Sequence, residues 1–290
     1  MQILIIQENG RHTENRYFRE CFTIQDGLKK NGVESIIWGL GHDNFSTPID
    51  KLIEECDAIL ILENYPVDNW LPDLSNVKKL KLFWSIDSHC NFYAHESITL
   101  NNKVDIVLGA IESDLSKFNV NMKKHYFPNT AHQDLIYPMN DVEKTKFIGF
   151  CGTLFGDRDD YITKIEKHYN IEIERAVWWL GNDMVKKINS FHVHFNKTIS
   201  NDINFRVFET LACNTLLLTN NTENMSTFFT DMHDVVMYNN ENELIEKVQY
   251  LIDNPKKIIE ISKNGYDNYT QNHNNTIRAK QLIDIINQYI

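Results

Sequence analysis

Along the first half of the chain, short aliphatic and β-branched runs alternate with stretches whose apolar positions recur every three or four residues. The runs at 3–6, 35–38, 58–62, 80–86 and 104–108 have the pattern of strands buried on both faces of a sheet. Between the first two, Phe18, Cys21, Phe22, Gln25 and Leu28 fall at helical spacing, and Asn31 and Gly32 supply a stop, so a helix is predicted there. Strands alternating with helices imply a parallel sheet joined by right-handed crossovers. Turn formers then gather at Phe127, Pro128 and Asn129, and again from Tyr137 to Asp141, as in an interdomain connection.

The pattern restarts at Lys146. A strand over 147–151 runs into Gly152, followed by a helix over 158–169 and strands at 171–174 and 191–195. A helix over 203–213, strands at 216–219 and 235–238, and helices over 241–252, 255–264 and 275–289 complete the chain. The prediction is an α/β protein of two Rossmann-like domains whose parallel sheets face a central cleft. The first domain is drawn at 1–142 and the second at 143–273, with 274–290 as a terminal helix packing back toward the first. Ligands of such folds bind beyond the carboxyl ends of the strands, where the strand order reverses.

Composition narrows this picture. A chain of 290 residues holds two such domains, each with its own core. No apolar run approaches the roughly 18 residues needed to cross a bilayer, and residues 1–8 lack the basic lead-in of a secretory signal. Cys21, Cys56, Cys90, Cys151 and Cys213 are scattered, with no paired spacing. That argues against a disulfide framework or a structural zinc site and for a reducing compartment, so a cytoplasmic location is expected. A formal net charge of −11 without a long basic cluster disfavours a broad grip on nucleic acid and leaves room for a local basic cleft.

The sharpest local signal is the stretch from Asn204 to Glu209. Ile203, Phe205, Val207, Phe208, Leu211 and Ala212 make its helix apolar on most faces, while Asp202, Arg206, Glu209 and Cys213 form one stripe. Charges on a mostly buried helix need a reason. A carboxylate near a helix start can accept two ribose hydroxyls and an arginine can fork a phosphate; alternatively the two residues form an ordinary i, i+3 ion pair. The second signal is the turn from Gly149 through Gly152 and Thr153 to Arg158. Glycine lets backbone approach a ligand there, and the next helix start offers N–H groups to a diphosphate, with Arg158 and Lys164 available to neutralise it. Asp157, Asp159 and Asp160 read as first-turn acids that favour the helix dipole rather than as a metal site.

The third signal is Asp87 and His89, directly after the strand at 80–86. Either could take a proton from an acceptor hydroxyl; the alternative for Asp87 is a cap on the next helix. Gly10 and Arg11, with His12, follow the first strand as a second tier of cleft residues, and His132 with Asp134 lies at the hinge. His192 and His194 share a strand face but have no evident third ligand nearby, so they are assigned to packing, with Asn196 and Lys197 at the strand's mouth.

The segment Asn204 to Cys213, followed by Leu216 to Thr219, resembles the C-terminal domain of the glycosyl transferases group 1 families, which have the two-domain GT-B fold. The likeness continues through Phe228 and Phe229, Asp234 to Tyr238, Glu243 and Leu244, and 251–255, and closes with His273, Arg278 and Ala279. It spans about residues 146–285. Asn214 departs from the family's usual glycine, a change that a left-handed turn tolerates. The resemblance implies that Glu209 holds the ribose of a nucleotide, with Asn204 and Arg206 as neighbours. The Gly152, Thr153 and Arg158 turn is similar to the family's glycine-to-arginine segment, which supports its reading as the diphosphate site; Lys197 is placed toward the donor by its position at the mouth of the strand at 191–195.

The activity implied by the resemblance is that of a glycosyltransferase, moving a sugar from a nucleoside-diphosphate sugar to an acceptor hydroxyl. UDP is taken ahead of GDP as the commoner donor nucleotide. The nucleotide sugar is the co-substrate, no cofactor or divalent metal is obligatory, and the first domain takes the acceptor. Asp87 and His89 are the catalytic candidates, Asp87 being the base if the reaction inverts configuration; a retaining reaction needs no side-chain base. A glycan, a protein, a small molecule or a modified DNA base remains open as acceptor, and nucleic acid enters only in that role. The rival readings are a non-catalytic two-lobed binding protein and a sugar-nucleotide epimerase or phosphorylase on the same fold.

Overall fold

The computed structural model describes residues 1–64 and 70–290. The chain divides into two compact units, one formed by Met1–Asn129 with Asn275–Ile290 and the other by Thr130–Asn274.

The first unit runs β1 (Gln2–Ile6), α1 (Glu20–Lys30), β2 (Glu34–Trp38), α2 (Ile49–Glu55), β3 (Ala58–Leu62), β4 (Leu80–Ser85), α3 (Ser88–Asn101), β5 (Ile106–Gly109) and β6 (Lys123–Tyr126). Its six strands lie in the order β2-β1-β3-β4-β5-β6, and every pairing is parallel. The all-apolar runs behave as anticipated: Ala58 to Leu62 are wholly buried because both faces of β3 are covered. On one face Leu4, Ile6, Ile59, Ile61 and Phe83 join a single core. The helix expected from Phe18 starts later, at Glu20, because Thr13–Phe18 form a 3-10 turn and Arg19 is extended. The backbone N–H of Cys21 then donates to Gln7 Oε1 (3.0 Å), tying the first turn of α1 to the end of β1.

The second unit runs β7 (Lys146–Cys151), α4 (Arg158–Tyr169), β8 (Glu174–Ala176), α5 (Gly181–Asn189), β9 (Phe191–Asn196), α6 (Phe205–Ala212), β10 (Leu216–Asn220), α7 (Met225–Phe228), β11 (Val236–Tyr238), α8 (Glu241–Asp253) and α9 (Pro255–Asn268). Its five parallel strands lie in the order β11-β10-β9-β7-β8. Ile148, Phe150, Val193, Phe195, Leu216 and Leu218 form its centre. The strand expected at 171–174 is displaced to β8, because Asn170 ends α4 in a left-handed turn and Ile173 N–H is held by Glu166 (2.8 Å). Asn214 has φ +51°, the left-handed turn anticipated for the residue that stands where glycine is usual. Residues 130–142 pack in this unit: Tyr269 OH donates to Ala131 O (3.0 Å), and Asn189 bridges Met139 N and Tyr137 O.

The chain then returns to the first unit as α10 (Asn275–Ile286). It lies on α1 through Gly27, where an added Cβ would fall 2.2 Å from Asn275 O. Asn275 Nδ2 donates to Thr23 O (3.0 Å) and Asn31 Nδ2 to Thr276 O (2.9 Å), closing the seam. No helix among the described residues is long and apolar enough to cross a membrane.

Candidate active site

In the second sheet the strand order reverses between β7 and β9, which opens a crevice at their carboxyl ends. The two strands pair only as far as Gly149 with His194, whereas β7 continues beside β8 to Cys151 and Ala176. Gly152 (φ +153°) turns the chain out of β7 in a conformation that favours glycine. Its N–H donates to Ala176 O (3.2 Å), so the diphosphate donors expected at this turn start beyond Gly152. An added Cβ would sit 3.7 Å from Arg206 Nε, so the turn and α6 are in side-chain contact.

Helix α6 begins at Asn204, whose side chain accepts from Val207 N–H (3.3 Å), an N-cap. Asn204 and Asn196 exchange amide contacts at 3.3–3.4 Å, and Asn196 Nδ2 donates to Thr219 Oγ1 (3.0 Å), fixing the cap to β9 and β10. Val207, Phe208, Leu211 and Ala212 are buried, which turns Arg206 and Glu209 to the partly open side. Their ion pair forms, Arg206 Nη1 to Glu209 Oε2 at 2.6 Å, and it lies against the Gly152 turn. Asp202, expected on the same stripe, precedes the helix and accepts from Ser200 Oγ (2.6 Å).

Arg158 opens α4 and locks the turn from the other side: Nε donates to Lys197 O (2.6 Å) and Nη1 to Thr153 O (2.8 Å). Burial, and after it the nearby Arg206 charge, depress its pKa. Lys197 Nζ pairs with Asp157 Oδ1 (2.7 Å) and lies 4.9 Å over the Tyr161 ring. Gly152, Thr153, Arg158, Lys197, Asn204, Arg206 and Glu209 thus gather beyond the carboxyl ends of β7 and β9. Lys164 does not join them; it pairs with Glu241 on an exposed face. No cluster with metal-ligand composition occurs among the described residues; Asp159 pairs with Arg175 (2.6 Å) instead.

Of the two strand histidines, His192 is exposed and His194 wholly buried. His194 Nε2 accepts Cys151 N–H (3.1 Å), so its proton sits on Nδ1 and donates to Thr210 Oγ1 (2.6 Å). Thr210 Oγ1 donates in turn to Arg206 O (2.5 Å). Burial, reinforced by the Arg206 charge, pushes the His194 pKa down to about 3, and the ring is neutral at every physiological pH.

In the first unit Asp87 and His89 are exposed at the carboxyl end of β4. Asp87 occupies the N-cap position of α3 without a capping side-chain bond. Its backbone is held by Glu63, a residue the sequence pattern did not single out. Glu63 Oε2 accepts the N–H groups of Ile86 (3.0 Å) and Asp87 (2.6 Å) and meets His95 Nε2 at 3.3 Å. His95 Nδ1 contacts Ser85 Oγ (2.8 Å) in turn. Burial would raise the Glu63 carboxyl, but the His95 interactions and the Asp87 N–H outweigh it and hold it below the usual range. A lone Glu directly after the apolar run 58–62 was the available signal. Gly10 has φ +76° and packs on Arg19, which pairs with buried Glu8 (2.6 Å), and Arg11 is exposed beside it. His132 lies in the second unit, its Nδ1 accepting from Asp134 N (3.4 Å).

Two parallel-sheet α/β units with these strand orders have the architecture of the GT-B fold. Residues 139–284 match the model of the glycosyl transferase-like family, and the chain belongs to that family. Among solved structures it is similar to a sucrose-phosphate synthase from Thermosynechococcus elongatus (TM-score 0.70, 12% identity, 99% of this chain and 98% of that one covered). It is similar to an alpha-glucosyltransferase in complex with UDP and a 13-mer DNA containing an HMU base (TM-score 0.72, 13% identity, 99% of each chain covered). A third is Anabaena HepE in complex with UDP and glucose (TM-score 0.65, 10% identity, 99% and 100% covered). No curated protein matches the chain by sequence.

Proposed function

We propose that this glycosyltransferase uses a nucleoside-diphosphate sugar, a UDP-sugar first, and that the crevice between β7 and β9 is its donor site. The observation that carries the reading is the gathering of the Arg206–Glu209 pair, Arg158 and the Lys197–Asp157 pair around the Gly152 turn. Glu209 accepts the ribose hydroxyls in place of part of its contact with Arg206, and Asn204 keeps the helix start in register. Arg158, Lys197 and the N–H groups past Gly152 meet the negative charge that develops on the departing diphosphate, without an obligatory divalent ion. The similar structures solved with UDP support the same donor class.

On the acceptor side, Asp87 takes the hydroxyl proton in an inverting reaction, with His89 beside it at the same strand end. In a retaining reaction the departing phosphate oxygen takes that proton. Holding both reactants in line supplies the rest of the rate enhancement. A thermal-shift panel of UDP, GDP, ADP and TDP with Glu209→Ala tests the donor assignment. UDP should raise the melting temperature of the wild type and leave the variant unmoved. If no nucleotide stabilises the wild type, or the variant responds equally, the ribose assignment is wrong.

A further inference from the structure

β7 and β9 stop pairing at Gly149 and His194, yet both continue into the crevice. Beyond that point Cys151 N–H faces β9 with no ladder partner, and the imidazole of His194 takes its place. The same ring reaches Thr210 in the middle of α6, and the Thr210 hydroxyl ends on the carbonyl of Arg206. Cys151, His194 and Thr210 are each at most 1% exposed. Only one proton arrangement satisfies all three contacts: Cys151 N–H to Nε2, Nδ1–H to Thr210 Oγ1, Thr210 O–H to Arg206 O. The chain of bonds therefore has a fixed direction, and it links the residue before Gly152 to the residue that pairs with Glu209.

We propose that His194 and Thr210 are positioning residues for the donor site, setting the spacing between the Gly152 turn and the Arg206–Glu209 pair. The proposal rests on the reading of that crevice as the nucleotide-sugar site. Aliphatic side chains would fill the same volume and support the fold. They would leave Cys151 N–H unmet and α6 tied to β9 by hydrogen bonds only at its Asn204 cap, with packing alone to set the spacing of its middle against the end of β7. Diphosphate and ribose bind on the two sides of this link, so a shift of either side weakens both contacts together.

The test is UDP affinity by calorimetry, with melting temperature measured in parallel, for Thr210→Val, Thr210→Ser, His194→Asn and Glu209→Ala. Thr210→Val keeps the shape and removes the hydroxyl; it should weaken UDP binding about tenfold, the scale of one lost hydrogen-bonded register. Thr210→Ser should restore affinity to within about twofold, and His194→Asn should weaken it as Thr210→Val does. If Thr210→Val fails to fold, the comparison of His194→Asn with Thr210→Ser decides in its place. Wild-type affinity in the folded His194 and Thr210 variants, with only melting temperature lowered, would assign the pair to stability alone and overturn the proposal. Glu209→Ala separates the two ideas: weak UDP binding there with full binding in Thr210→Val keeps the donor site and discards the positioning role. No UDP binding by the wild type discards both.

Discussion

The neutral, wholly buried His194 makes the stability of this protein sensitive to acid in a way that can be worked out beforehand. In the unfolded chain its imidazole titrates near 6.5, and in the fold only near 3. Between those values the unfolded state holds a proton that the native state refuses, so stability falls as pH falls. The full gap, at about 1.4 kcal/mol per unit, comes to about 5 kcal/mol, comparable to the whole stability of a modest domain. Above pH 6.5 the contribution is fully present. By pH 4.5 roughly two units of it are gone, or about 3 kcal/mol. His194→Asn removes the titration at the cost of one broken hydrogen bond and some packing, about 2–4 kcal/mol at neutral pH. Urea unfolding of both proteins at pH 7.5, 6.0, 5.0 and 4.5, followed by a probe in the second unit, measures the difference. The neutral-pH gap should close by about 3 kcal/mol at the acid end. A gap that stays constant with pH would refute the assignment of the neutral ring, and with it the direction of the hydrogen-bond chain.

The remaining predictions concern other parts of the molecule. Gly27→Ala should drive α10 off α1, since the new methyl meets Asn275 O at 2.2 Å; a loss of about 1–3 kcal/mol and early proteolysis within 275–290 are the readouts. Arg158→Ala removes the bonds to Thr153 O and Lys197 O, so the donor KM should rise at least tenfold with little change in melting temperature; an unchanged KM excludes Arg158 from the diphosphate site. Burial lowers the Lys144 pKa to about 8 from 10.5, so the native state gives up its proton first and stability rises with pH between those values. Melting curves at pH 8 and 10 should show that rise in the wild type and a smaller one in Lys144→Met.

Much of the fold was written in hydrophobic periodicity. The unbroken apolar runs became central strands because parallel sheets bury both faces, and the strand-helix alternation left few topologies open. The elements without a forecast carry weak local signals. β6 is a polar edge strand, Lys123–Tyr126, and α2, α5 and α7 are short, with four to nine residues each. The residues proposed for the donor converge because the motif stretch, the glycine turn and the mouth of β9 all follow adjacent strands. Glu63 and the His194–Thr210 link escaped notice for a different reason. Their importance lies in contacts between residues 16 to 32 positions apart, and no periodicity in one sequence reports such a pairing.

The return of the chain to its first unit bears on how the protein is made. Residues 275–290 belong to the same compact body as residues 1–129, and α10 covers α1 through the Gly27 seam. During synthesis the first sheet emerges early, yet the helix that seals it leaves the ribosome only after the entire second unit. The second unit is continuous in sequence and can fold as it appears. The first waits with one helix face bare, so the part of the protein made first is the part finished last.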